Sequence, residues 1–421
     1  MLIGIRREDK NHWERRVPLT PADLAELQRQ GLEFRVQPSA NRIFSDIAYQ
    51  DVGVKLAEDL GACDLVMAVK EIPKHLLQRD KLYMYFSHVI KGQRYNMPML
   101  QQLLDLGCSL IDYERIVGED GKRLLFFSIH AGYAGAIDTL WTLGHRLAAR
   151  GIPTPLAEIK RTFEYSTFEG AKAHLKVVGE QLNPERHALT IGVAGYGNVA
   201  AGVAEVLECL PIEWVAPRDL VAGKPATMPI RVVEFREEHM ARRKDGSDFD
   251  LQDYYDHPEL YEARFEEYLP HLDVLLNTIY WEPRYPRLVT RAWIAANRDP
   301  KLQVIGDISC DYEGAIEITL HATMPDKPSF TFNPETGAVV EDVIGPSPAV
   351  MAVDNLPCEL SRESSQHFGK VLRDLVPALA KCDWSASFDK LDLPAELKGA
   401  VIVHRGELTP DYRYLEEFLK D

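Results

Sequence analysis

Apolar and polar positions along this chain follow two periods. Short apolar runs, of the kind buried on both faces of a parallel sheet, are separated by longer segments with helical spacing. Residues 2–5, 33–36, 64–69, 82–86 and 109–112 read as strands, and 123–127 as one more. Thr20 and Pro21 mark a helix start: a capping hydroxyl, then a ring that needs no N–H. A long helix is expected from about residue 131 to 150, with Leu140, Leu143 and Leu147 along one face. Residues 151–188 read as mixed helix and loop. The most distinctive stretch follows: an uncharged strand at 189–194, a turn opened by Gly195 and Gly197, and a helix from Asn198 to about Glu208. Ala200 sits where helix–strand contact requires a small side chain. Residues 213–215 are expected to be the next strand of that unit. The long, charged segment 220–272 reads as an insertion that covers the domain with solvated charges. Two more strands follow at 273–277 and 303–307, then a crossing segment at 345–357. An amphipathic helix at 361–380 is expected to return the chain to the first domain. The tail beyond 383 is acidic, with weak helical signals.

Composition narrows this picture. A chain of 421 residues implies two domains, or three. A net charge of −16 argues against a nucleic-acid or anionic-membrane partner, while leaving room for a local arginine pocket. The 6 cysteines are scattered, with no Cys-x-x-Cys and no Cys/His cluster at ligand spacing, so no metal is expected and a reducing compartment fits. Met1 leads directly into a strand, and no apolar run reaches membrane length, so the expected location is cytoplasmic. The oligomeric state stays open.

The candidate chemistry lies where strands end. A glycine turn that feeds a bare helix N-terminus is a pyrophosphate cradle, and Gly195, Tyr196, Gly197, Asn198 and Val199 are its residues here. The strand at 213–215 closes with Val215-Ala-Pro217-Arg218, without the carboxylate that takes ribose hydroxyls in NAD enzymes. Arg218 would pair with a 2′-phosphate, so the expected cofactor is NADP, with NAD as the alternative. Asn277, Tyr280, Asp307 and Asp311 follow strands that end where the nicotinamide half should lie. Asn355 and Leu356, in the crossing segment, join the expected cofactor set. In the first domain, Arg16, Lys70, Glu71, His88 and Glu114 follow successive strands on one sheet edge, the crevice side of an open α/β sheet.

Several stretches carry a resemblance. They are Arg16-Val-Pro-Leu-Thr-Pro, Val69-Lys-Glu-Ile-Pro, Tyr85-Phe-Ser-His-Val-Ile-Lys-Gly-Gln, Leu110-Ile-Asp-Tyr-Glu-Arg, Tyr196-Gly-Asn-Val-Ala-Ala-Gly, Ile279-Tyr-Trp-Glu-Pro, Pro286-Arg-Leu-Val-Thr-Arg, Gly306-Asp-Ile-Ser-Cys-Asp and Val353-Asp-Asn-Leu-Pro. Together they resemble the alanine dehydrogenase and transhydrogenase-like superfamily. Within it, they are most similar to the lysine-ketoglutarate reductase domain, the saccharopine-forming half of bifunctional aminoadipic semialdehyde synthase.

The resemblance implies an α/β chain of two Rossmann-like domains separated by a cleft, the second a doubly wound dinucleotide-binding domain. Residues 1–131 with 346–421 would form the substrate domain, and 132–345 the dinucleotide domain. It implies catalytic roles for Lys70 and His88, carboxylate binding by Arg16 and Arg123, and site-lining acids at Glu71 and Glu114. The partners implied are a small amino acid and a 2-oxo acid. One motif departs from the family: Ser128-Ile-His130 stands where Gly-x-Trp/Tyr is usual. The second enzyme domain of the bifunctional proteins is not in this sequence, so a monofunctional chain is expected. The reaction implied is reductive condensation of lysine with 2-oxoglutarate. The alternatives are an NAD-dependent lysine-forming saccharopine dehydrogenase, an alanine-type dehydrogenase, and a nucleotide sensor without turnover.

Overall fold

In the computed structural model, which describes residues 1–420, the uncharged runs become strands and each strand's C-terminal end feeds a loop. The first unit begins with β1 (Leu2–Ile5), β2 (Glu33–Val36), β3 (Lys55–Leu56), β4 (Leu65–Met67), β5 (Leu82–Tyr85) and β6 (Ser109–Asp112). These six strands are parallel, in the order β6-β5-β4-β1-β2-β3. The register aligns Ile5 with Met67, Met67 with Met84, and Tyr85 with Asp112. The segments that follow β1, β4, β5 and β6 therefore emerge side by side. Helix Pro21–Arg29 starts at the expected cap: Thr20 accepts from the Asp23 N–H, and Asp23 accepts from the Thr20 N–H in return.

The expected strand at 123–127 does not form. Only a single bridge joins Val117 to Arg123, around the turn at Gly121. The sheet edge it would need is already taken. β17 (Val401–His404), from the acidic tail, pairs antiparallel with β6, and β18 (Glu407–Leu408) pairs with β17. Helix Ser361–Lys381 also returns to this unit and buries Phe368, Leu372, Val376 and Leu379 in its core.

The second unit has its own sheet, built in chain order from β7 (Leu189–Ala194), β8 (Ile212–Trp214), β9 (Ile230–Phe235), a separate hairpin of β10 (Ala241–Arg243) and β11 (Tyr261–Ala263), then β12 (Val274–Asn277), β13 (Val304–Asp307), β14 (Ser329–Phe332), β15 (Val339–Val340) and β16 (Ala349–Met351). The order is β15-β14-β16-β13-β12-β7-β9-β8. The strand beside β7 is thus β9 and not β8, which corrects the expected neighbour. Ile230–Phe235 is buried at four of its positions and pairs with β7 along its whole length, from Leu189 opposite Ile230 to Ala194 opposite Phe235. Ile212–Trp214 is short and half-exposed, which suits the sheet edge it occupies. Part of the segment expected to be a covering insertion is therefore a central strand. Only the hairpin and helix Leu251–Asp256 are appended, around Tyr254, Tyr261 and Ala241.

The chain passes from the first unit to the second between Phe127 and Ser128, and returns at Ser361. Residues 346–360 stay with the second unit because β16 pairs with β13 and β14 there. The long helix, Ser128–Ala149, opens the second unit and crosses helix Asn198–Leu207 at two glycines. A Cβ on Gly132 would lie 2.1 Å from the Val199 carbonyl oxygen, and one on Gly202 would lie 2.3 Å from that of Ile129. No side chain fits at either position.

Candidate active site

The segments leaving β1 and β4 run together and hold the lysine. The Glu8 carboxylate accepts from the Val69 N–H at 2.7 Å and from the Lys70 N–H at 3.1 Å. It is a brace across the loop that carries Lys70. Burial, and then the charge of Glu14, push the Glu8 carboxyl well above the ordinary range, against those two N–H groups. Lys70 moves the other way: burial first, then the Arg16 charge, depress its ammonium below the usual lysine value. That is the shift a lysine base requires.

Arg16 is not a lone cation. Its guanidinium donates to both oxygens of Glu14, at 2.8 and 2.5 Å, and stacks 4.3 Å over the Phe127 ring. The side chains are 2% and 0% exposed, so the pair is dry. Arg123 is also matched, to Glu114, but its side chain is 52% exposed.

His88 stands beside Glu71, with Nδ1 3.4 Å from Oε2, and Lys10 donates to the other Glu71 oxygen at 2.8 Å. Burial works to raise the Glu71 carboxyl, but the contacts with His88 and Lys10 prevail and hold it well below the ordinary carboxylate range. His88 has φ +53°, a left-handed backbone that a non-glycine residue adopts at a cost of about 1–3 kcal/mol. The neighbours hold it there. Ser87 donates to the Asp112 carboxylate through both its N–H and its hydroxyl, and Asn96 donates to the His88 carbonyl at 3.2 Å. Burial lifts the Asp112 carboxyl to about 6. One edge of the sheet thus gathers Glu8, Glu14, Arg16, Lys70, Glu71 and His88, with Glu114 and Arg123 beside Asp112. Glu8, Glu14 and Asp112 are not among the residues the sequence pattern singles out. The available signal is slight: Glu14 stands two places before Arg16 at the same strand end.

In the second unit, Gly195 has φ +109°, and a Cβ there would lie 2.6 Å from Thr278 Oγ1. Gly197 is the N-cap of helix Asn198–Leu207, makes no side-chain cap, and has open space where a Cβ would be. The first N–H groups of that helix, from Asn198 and Val199 on, therefore face an unobstructed cradle, which fits a pyrophosphate. Tyr196 is exposed beside it.

The other expected cofactor residues divide. Tyr280 and Asp311 are exposed. Asn277 and Asp307 are each 1% exposed and bound to one another: Asn277 donates to Asp307 at 2.8 Å, and Thr319 donates to the other Asp307 oxygen at 2.6 Å. They brace the ends of β12 and β13. Leu356 is buried in the core and Asn355 is half-buried. Arg218 follows the edge strand β8, 88% exposed beside Asp219, with β9 between it and the glycine turn. That placement removes the ground for pairing it with a 2′-phosphate.

No helix among the described residues is long and apolar enough to cross a membrane. Residues 4–134 match the alanine dehydrogenase/PNT N-terminal domain, and residues 230–411 the C-terminal domain of the same family. The chain is 37% identical to alpha-aminoadipic semialdehyde synthase of Arabidopsis thaliana, an alignment that covers 100% of this chain and 42% of that protein. It is 32% identical to the mitochondrial alpha-aminoadipic semialdehyde synthase of Mus musculus, over 99% of this chain and 48% of that one. The chain thus spans less than half the length of these relatives. It is 26% identical to saccharopine dehydrogenase (NAD(+), L-lysine-forming) of Neurospora crassa, with 92% of each chain covered. Among solved structures, an L-alanine dehydrogenase superposes with a TM-score of 0.66 at 18% identity, covering 100% of both chains, which shows a shared fold. With both domain families matched in order and on that same fold, the chain belongs to the alanine dehydrogenase/PNT family.

Proposed function

We propose that this chain condenses L-lysine reductively with 2-oxoglutarate to saccharopine, with NADPH as reductant, and runs the reverse reaction when product accumulates. The observation that carries the reading is the cluster at the first sheet edge, where Glu71 is paired with a strained histidine and also acts on a lysine with a depressed pKa. The resemblance to alpha-aminoadipic semialdehyde synthase and saccharopine dehydrogenase supplies the substrates. A nicotinamide dinucleotide cradled by Gly195, Gly197 and the bare helix N-terminus supplies a hydride when bound.

The chain's own residues handle protons and orientation. Neutral Lys70 takes a proton from the ε-ammonium of the substrate lysine, and the free amine attacks the ketone carbon. His88, held in place by Glu71, gives the proton that lets the carbinolamine hydroxyl depart as water. The resulting iminium carbon accepts the hydride, and the new secondary amine takes a proton as it leaves. Arg123, half-exposed and fixed by Glu114, orients a substrate carboxylate, while Arg16, buried against Glu14, contributes the positive charge that depresses Lys70. The setting is the reducing cytoplasm, which scattered cysteines without a disulfide among the described residues fit.

The test is direct. The protein is incubated with L-lysine, 2-oxoglutarate and either NADPH or NADH, and saccharopine is measured by mass spectrometry alongside the loss of nicotinamide absorbance. Saccharopine formed faster with NADPH supports the reading. A preference for NADH moves the cofactor to NAD, and nucleotide binding without saccharopine under either cofactor overturns the reaction.

A further inference from the structure

The last turn of helix Ser128–Ala149 carries a buried arginine. Arg146 is 4% exposed, and its guanidinium donates to neutral oxygens: the Val343 carbonyl, the Ser347 carbonyl at 2.7 Å and Gln303 Oε1 at 3.5 Å. Among the described residues no carboxylate pairs with it. Asp299, the acid whose charge supports it, is paired instead with Arg150 at 2.7 Å. Burial, then the Arg150 charge, push the Arg146 guanidinium down to about 10, so it stays cationic at neutral pH. A cation in the last turn suits the helix dipole. That accounts for a charge at this position but not for its burial, since an uncompensated buried ion is costly.

Arg146 lines a cavity of about 250 Å³, together with Arg150, residues 298–300 ahead of β13 and residues 344–346 ahead of β16. β16, β13, β12 and β7 are parallel, so these segments lie at the amino ends of the strands, whereas the glycine turn follows the carboxyl end of β7. The cavity is therefore a different place from the dinucleotide cradle. One side of it is apolar: Ile294, Ile344 and the rings of Pro300, Pro334 and Pro346. On the other side Arg298 is paired with Glu335 at 2.6 Å, and Arg150 with Asp299. The excess charge is thus the single positive charge of Arg146, which a monoanion matches and a phosphate dianion exceeds. Its hydrogen bonds leave one N–H free on each terminal nitrogen, as a carboxylate needs.

We infer that this cavity binds a small monocarboxylic acid, with its carboxylate on Arg146 and its apolar body against Ile294, Ile344 and the prolines. The volume lies below that of a pocket for a drug-sized molecule, so the acid is a compact one. The site is independent of the reaction proposed above and of the groups that carry it.

The probe is 3-methylbutanoate, with 3-methylbutanamide as its neutral counterpart. Binding to the full chain is followed by saturation-transfer NMR. The acid should bind with a Kd on the order of 1 mM, ordinary for a ligand of this size, and the amide about tenfold or more weakly. Ile344 is 44% exposed, so Ile344→Asp sets a negative charge in the wall without disturbing the core. It should weaken the acid about tenfold and leave the melting temperature nearly unchanged. Arg146→Met should lose the acid as well; where that variant does not fold, Ile344→Asp decides. Saturating 2-oxoglutarate should leave the probe bound. Equal binding of acid and amide, or full binding of the acid to Ile344→Asp, overturns the site. Displacement by 2-oxoglutarate places the probe on other arginines and overturns it too. Displacement by inorganic phosphate at concentrations below the Kd of the acid overturns the assignment to a monocarboxylate. Saccharopine synthesis is read in a separate assay, so its failure leaves these titrations standing.

Discussion

Removing the Glu14 carboxylate should reveal how much the dry Glu14–Arg16 pair carries. Glu14→Gln keeps the shape and deletes the charge. The guanidinium then stays at 2% exposure, over the Phe127 face, with an amide where the Glu14 charge was. Stranding one member of a buried pair costs about 3–5 kcal/mol. The control is Glu114→Gln at the other arginine. That pair is half-exposed on the arginine side, and its loss costs about 0–1 kcal/mol. A second comparison is Glu14→Gln with Arg16→Met. Replacing both members with neutral groups removes the stranded charge, so the double variant should recover most of the loss. Urea unfolding followed by tryptophan fluorescence gives the three values. A loss below about 1 kcal/mol for Glu14→Gln, or a double variant no more stable than the single, would refute the argument from burial. The substitution also acts on Lys70. Glu14 holds the ammonium up and Arg16 pushes it down, so without Glu14 the acid limb of kcat/KM should move to lower pH, provided the protein remains folded.

Four further outcomes follow from the same structure. Lys70→Met should lower kcat by about 100-fold or more, as loss of a general base does, with His88→Gln less severe if Glu71 still orders the site; steady-state assays across pH check it. Glu359 is buried against Asp138, which accepts from the Thr162 N–H at 2.8 Å, and burial followed by the Asp138 charge raises the Glu359 carboxyl well above its ordinary value. Its raised folded-state pKa means that stability is full below about pH 4.5 and falls as pH rises through the folded value. Melting curves should therefore be flatter with pH, and higher on the alkaline side, for Glu359→Gln. Gly202→Ala puts a methyl 2.3 Å from the Ile129 carbonyl and should destabilise the protein by several kcal/mol, on the order of an overpacked core. Gly197→Ala meets nothing within 4 Å, at φ −85°, and should leave the melting temperature nearly unchanged while weakening nucleotide binding.

Features written into a few adjacent residues are legible without the structure. The Thr20–Asp23 cap, the glycine turn, the bare helix start at Asn198 and the residues at the ends of β4, β5 and β6 all lie within one local pattern. Sheet order is different, since it depends on which strands meet and periodicity carries no record of that. Ile230–Phe235 reads as part of a charged insertion because its flanks are charged, yet it takes the place beside β7. Val401–His404 lies hidden in an acidic tail, yet it closes the edge that residues 123–127 are expected to join. Site residues divide along the same line. Lys70 and His88 stand out as ionisable groups at strand ends. Glu8 and Glu14 resemble solvated loop charges until the packing around them is seen, because burial is a tertiary property.

The return of the chain at Ser361 has a consequence for synthesis. The second unit is continuous from Ser128 to Leu360 and has all its strands in hand before the ribosome reaches helix Ser361–Lys381. The first unit does not. Its N-terminal strands emerge before the second unit but wait until all of that unit has been made for Phe368, Leu372 and β17 to finish their core. During that interval the β6 edge has no partner, and an unpaired edge beside incomplete packing invites chain-to-chain pairing. Of the two units, the one begun first is thus the one completed last, and it is the one that carries Lys70 and His88.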